Sequence, residues 1–228
     1  MDETIEKLLR DYRWTLNRKI NHIRLNTYAD AQAFAKLAGN NLRIVLNPTD
    51  IVGMDEDQLT AVLNPLLKEM STQVGNAVAI VQKKINRSAG IGLNALVPEY
   101  SPETARSVAR NIVSGMETAE ALKDLPEVGK QIVNEAMKVV DEGLRMNAEA
   151  HYRSGLETKI IRRYDDVGVH NRKDPCEWCL SRAGEYSSYM DAYNAGVFER
   201  HPGCGCTVEY HVGKTHSFRD ASGAWNNL

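Results

Sequence analysis

The chain has 228 residues, 43% hydrophobic and 25% charged, a globular usage that excludes disordered and collagen-like classes. With 28 Lys and Arg against 30 Asp and Glu, the net charge of -2 supplies no overall field to draw in nucleic acid, though it leaves room for a local basic patch. No stretch approaches the roughly 18 consecutive apolar residues of a membrane span. The acidic start, Met1-Asp2-Glu3-Thr4-Ile5-Glu6, lacks the apolar run of a secretory signal, so a soluble, cytoplasmically made chain is expected.

Apolar residues at intervals of three and four (Ile5, Leu8, Leu9, Tyr12, Leu16, Ile20, Ile23) predict a helix from Asp2 to about Asn26. A short helix from Ala29 to Leu37 follows, ended by Gly39-Asn40-Asn41, and the β-branched run Leu42–Leu46 fits either helix or strand. Asp55 and Gln58 form a capping-box pattern that opens a long helix to about Lys84, with its stripe at Leu59, Val62, Leu63, Leu66, Leu67, Met70, Val74, Val78 and Val81. Gly75 interrupts it at a cost of about 1 kcal/mol relative to Ala. Gly90, Gly92 and Pro98 mark a loop, and Ser101-Pro102-Glu103 is a helix start with proline at its first position. Asp124 and Glu127 frame a further box before a last long helix through Val128, Ile132, Ala136, Val139, Val140 and Leu144 to about Tyr152.

Beyond residue 156 the character changes. Lys159–Tyr164 reads as a strand, and Thr207–Val212 alternates polar and apolar residues as a half-buried strand does. The expected fold is mainly α: an elongated helical N-terminal body over 1–156 and a small C-terminal Cys-rich α+β module, metal-knuckle-like, over 157–228. The stripes Leu59–Val81 and Val128–Leu144 are long, and the expectation is that one bundle buries only part of them and leaves apolar surface for another chain.

All four cysteines lie between Cys176 and Cys206. Cys176-Glu-Trp-Cys179 brings two thiols together in one tight turn, and Cys204-Gly-Cys206 entering a strand places two on one face. The two pairs can supply a closed tetrahedral zinc shell, and His201 is a fifth candidate that can replace one of the last two cysteines. A closed shell leaves no position for water, so such a zinc is structural and stabilises a segment too small to build its own core. Thioredoxin-type redox use lacks its βαβ context here, and two disulfides fit poorly with thiols confined to one end of a cytoplasmic chain.

Other residues point to structure. Trp178 is expected to pack on the knuckle. His170, near Asp165 and Asp166, has no accompanying nucleophile or oxyanion pattern, so no catalytic residue is assigned. His22 and His151 are expected on helix surfaces, and His211 and His216 as exposed side chains. Arg162, Arg163, Arg172 and Lys173 are offset by Asp165, Asp166 and Asp174 and read as a solvated face.

Asp-Pro-Cys176-Glu-Trp-Cys179-Leu-Ser-Arg-Ala-Gly184, followed by Phe198-Glu-Arg-His201-Pro-Gly-Cys204-Gly-Cys206-Thr, resembles the phage Mu F-like minor head protein family, the phage head morphogenesis proteins. The match covers about the last third of the chain. Gly205 stands where the family usually has Arg, and Glu199-Arg200 where Pro-Pro is frequent. The resemblance implies a non-enzymatic structural protein of a tailed-phage virion, present in the host cytoplasm during assembly. It would be associated with the portal or other head proteins, homo-oligomeric or on a ring, with packaged DNA as a further contact and no membrane. Its role would be in head assembly, DNA packaging or ejection. Some relatives carry toxin domains after the His-Pro-x-Cys-x-Cys segment; with 22 residues after Cys206, that elaboration is not expected here.

Two readings from other classes compete. A zinc-scaffolded enzyme, such as a treble-clef-like nuclease or a toxin fragment, would need catalytic partners that His170-Asn171 lacks at workable spacing. A zinc-knuckle adaptor for protein partners fits the module, but no aromatic–basic interleaving suggests stacked bases.

Overall fold

The computed structural model describes residues 3–20, 23–46, 51, 53–116, 125–164, 176–201, 203–213, 218–219 and 225–226. Five helices come first: α1 (Glu3–Ile20), α2 (Tyr28–Val45), α3 (Glu56–Ala89), α4 (Pro102–Met116) and α5 (Leu125–Arg153). There follow β1 (Thr158–Arg163), α6 (Glu177–Leu180), β2 (Gly184–Tyr186), α7 (Tyr189–Asn194) and β3 (Thr207–Val212), and then a short β4–β5 pair (Phe218–Arg219 and Trp225–Asn226). The fold is mainly α with a small α+β part.

The capping box at α3 forms as its sequence predicts: the Asp55 side chain accepts from the Gln58 N–H while Gln58 returns the bond. The helix runs past Lys84 to Ala89 and stops at Gly90, whose φ of 72° is the left-handed cap that glycine adopts freely. Thr27 and Asp30 make a second capping box at α2.

That helix overturns one expectation. It does not end at Leu37 but continues through Gly39-Asn40-Asn41 and absorbs Leu42–Val45. Gly39 serves as a contact rather than a stop, because a Cβ there would lie 2.7 Å from the Val133 Cα of α5. The missing side chain lets α2 and α5 cross closely. Asn41 is buried and donates to the Tyr12 carbonyl and the Thr15 hydroxyl of α1, so its amide is satisfied inside the bundle.

The stripes bury most of their apolar positions, with Val62 and Val139 only half-buried. Leu59, Leu63, Leu66, Leu67, Met70, Val74, Val78 and Val81 of α3 are buried, as are Ile132, Ala136, Val140 and Leu144 of α5. Both find their cover within this chain, α5 against α2 and α3, and α3 against α4. A supporting loop completes this arrangement: Asn147 of α5 brackets Leu96, accepting from its N–H at 2.9 Å and donating to its carbonyl at 2.8 Å.

β1 is the central strand of an antiparallel sheet ordered β2-β1-β3, with Ile160 opposite both Tyr186 and Tyr210. Its inner face joins the helical core: Ile160, Tyr189, Val197, Val208 and Tyr210 belong to the same buried cluster as the stripes of α2, α3 and α5. Gln32 of α2 donates to the Val208 carbonyl, and Tyr28 packs edge-on against Tyr210. The sheet is therefore anchored by apolar contact. The cysteines form a second, separate buried cluster with Tyr164 and Trp178.

Candidate metal centre

The two cysteine motifs lie far apart in the chain and meet in space. Cys176 is the residue before the single turn α6, which carries Cys179 inward, while Cys204 and Cys206 precede β3. Cys179, Cys204 and Cys206 are buried, and all four cysteines are free thiols. His201 lies on the loop before Cys204, whose N–H donates to the His201 carbonyl in a tight turn.

Five potential ligands form two triads that share Cys179: Cys176, Cys179 and His201, and Cys179, Cys204 and Cys206. Within each triad the ligand atoms lie within 4.8 Å of one another. His201 Nε2 is 3.5 Å from Cys176 Sγ and 3.0 Å from Cys179 Sγ, and Cys179 Sγ is 3.7 Å from Cys204 Sγ. Zinc bonds of about 2.3 Å to sulfur and about 2.0 Å to nitrogen, at tetrahedral angles, give ligand separations of about 3.8 Å for S···S and about 3.5 Å for S···N. Two of the three distances match. The donor set fits a borderline-soft ion, and Cys179 is central to either choice of partners.

The thiols are not equivalent. Burial, together with the neighbouring Cys204, pushes Cys179 up to about 11. The Cys204 thiol is raised by its hydrogen bond to Cys206 and by burial, whereas Cys206 is lowered because Cys204 donates to it. Ligation has to displace protons from the raised pair, which makes metal uptake pH-dependent.

Sequence reasoning missed the residues that hold this centre. Arg200 forms a buried ion pair with Asp141 of α5, with contacts of 2.6 and 3.1 Å and side chains 1% and 2% exposed. The same guanidinium donates to the carbonyls of Cys204 and Cys206, at 3.0 and 3.1 Å. One side chain thus ties the second cysteine motif to α5 of the helical body. Arg162 is a second brace, and a correction: it is buried, not part of a solvated basic face. It donates to the Val197 and Glu199 carbonyls, and its Nη2 lies 3.5 Å from Cys204 Sγ. Its place on β1 carried a signal, since Arg162 shares parity with the inward-facing Ile160. Trp178 packs on the centre as expected, edge-on to His201, with the Arg182 guanidinium 3.9 Å from its ring centroid.

The remaining histidines divide. His151 is a further correction: it is buried at the end of α5, with Nδ1 against the Tyr210 hydroxyl of β3, and burial lowers its pKa. His211 is exposed, 3.6 Å from the Glu209 carboxylate, outside both triads. His22, His170, His216, Arg172, Lys173 and the aspartates at 165, 166 and 174 lie outside the described residues.

Compared with profiles of known protein families, with curated proteins and with solved structures, the chain has no match in any of the three. No helix among the described residues is long and apolar enough to cross a membrane.

Proposed function

We propose that this protein is a structural minor head component of a tailed phage, of the Mu F-like kind, whose cysteine module is a zinc-stabilised docking knob on a helical body. The observation that supports it is the convergence of Cys176-Glu-Trp-Cys179 and His201-Pro-Gly-Cys204-Gly-Cys206, in the order of the family motif, on one buried locus. Four of Cys176, Cys179, His201, Cys204 and Cys206 would hold the ion. When bound, zinc supplies a closed structural crosslink between the two motifs. This chain's own residues do the rest: Arg200 fixes the second motif to Asp141, Arg162 holds the preceding loop, and Trp178 with Arg182 covers the His201 edge. A protein of this kind works by position, joining the portal or a neighbouring head protein, and needs no catalytic set.

The test is particle composition. Purified particles of the phage that encodes the chain are expected to contain it at small copy number, and co-expressed portal protein to retain it on a sizing column. Its absence from particles together with failure to bind portal would overturn the reading and favour the adaptor alternative.

A further inference from the structure

Arg162 is a buried cation with no carboxylate to match it. Its side chain is 2% exposed, although β1 is the central strand of the sheet and ends beside the thiols. The guanidinium donates to the Val197 and Glu199 carbonyls, and it lies 5.3 Å from the centroid of the Trp178 ring. Its Nε makes no hydrogen bond among the described residues. Among those residues the neighbouring carboxylates are engaged elsewhere: Asp141 with Arg200, Glu199 with Arg182 and Glu209 with Arg163. The acidic groups that Arg162 does face are the Cys204 thiol, 3.5 Å from its Nη2, and the neighbouring Cys206.

A buried charge is costly unless an opposite charge faces it. Neutral thiols do not supply one, whereas thiolates held on a metal do. The charge then discriminates between ligand sets. Zinc with four thiolates carries two net negative charges; with three thiolates and a neutral imidazole it carries one. Arg200 is matched by Asp141, which leaves Arg162 as a single positive charge in the wall of the centre. Three thiolates with one imidazole balance it, and four thiolates leave an excess negative charge buried. His201 is placed for the first set, with Nε2 facing both Cys176 and Cys179. Of the last two cysteines, Cys204 has its sulfur at the guanidinium, and Cys206 is hydrogen-bonded to Cys204.

We infer that the ion is held by Cys176, Cys179, His201 and Cys204, with Arg162 as the counter-charge of the Cys204 thiolate and Cys206 outside the shell as a hydrogen-bond donor to it. Arg162 is then a positioning residue for the metal, in addition to its hold on the loop carbonyls. Trp178 lies against both the Arg162 guanidinium and the His201 ring, which strengthens the attraction by keeping water from it. The inference rests on the zinc centre proposed above and is independent of the virion reading.

The experiment is zinc-edge X-ray absorption on the reduced, zinc-loaded full-length protein, joined to chelator competition for the zinc affinity of variants. Three sulfurs and one nitrogen are expected around the ion. Cys206→Ser should keep about one zinc per chain, and Cys204→Ser should lose it. Arg162→Gln, which keeps hydrogen-bond donors but no charge, should weaken zinc binding on the order of tenfold or more. Arg162→Lys, which keeps the charge, should bind zinc more tightly than Arg162→Gln. An arginine that only braced the loop carbonyls would make the two variants alike. Four sulfurs around the ion, loss of zinc in Cys206→Ser, or equal affinities for Arg162→Gln and Arg162→Lys would each overturn this inference and leave the zinc centre standing. A parent protein that takes up no stoichiometric zinc would overturn the centre and this inference with it.

Discussion

The helical body and the cysteine centre are built on opposite principles. The body is held by many apolar contacts, none of them individually decisive, with α3 and α5 buried along their stripes. The centre has a buried cluster of only three cysteines with Tyr164, Cys176 and Trp178 around it, and it depends on directional ties from Arg162, Arg200 and the thiols themselves. Dispersed apolar burial degrades gradually as groups are removed, whereas a few charged or ligating groups fail together when one is lost. The sheet lies between these regimes: its inner face belongs to the body core, while the loops at one end carry the ligands.

The largest effect should come from Cys179, the corner common to both triads. Cys179→Ser is expected to abolish stoichiometric metal in reductant-purified protein, measured by elemental analysis, where the parent carries about one zinc per chain. Structural zinc contributes apparent binding free energies of about 10 kcal/mol or more in small modules. Proteolysis should then open the α6 turn and the loop that carries His201 and Cys204, and spare β1, α7 and β3, because Ile160, Tyr189 and Val208 sit in the helical core. Uniform loss of the helices as well would break the contrast between the regions.

Next comes the tie between them. Arg200→Met leaves Asp141 as an unpaired buried charge and should cost about 3–5 kcal/mol in urea denaturation, while Arg200→Met combined with Asp141→Leu should recover much of it. Equal costs for the single and double variants would show that the pair is not the fastening. Leu63→Ala, deep in α3, should cost about 2–5 kcal/mol and leave metal content unchanged.

A smaller effect sharpens the comparison at the sheet. His151 is buried against Tyr210 and its pKa is lowered, so the folded protein resists the proton that the unfolded chain accepts near pH 6.5. Stability is therefore independent of this group above that pH and falls as the pH drops below it. The slope is at most about 1.4 kcal/mol per pH unit until the folded value is reached. His151→Gln, which keeps a hydrogen-bonding group but does not titrate, should remove that component from the denaturation midpoint against pH. The smallest effect is expected at the exposed Arg163–Glu209 pair, where Glu209→Gln should change stability by less than about 1 kcal/mol.

By itself the sequence determined the mainly helical fold, the α3 capping box, the limits of β3 and the five candidate ligands, because periodicity, capping and ligand spacing are local. Tertiary structure decided the rest. Gly39 reads as a helix stop until α5 is seen to pass against it, and no local pattern marks Arg200, whose partner Asp141 lies 59 positions away. Polarity alone predicts exposure for His151 and Arg162, and only packing supplies the Tyr210 hydroxyl and the loop carbonyls that let them be buried. The physical reason is the same in each case: burying a polar group is costly unless a partner is present, and the partner comes from a distant segment that no local pattern encodes.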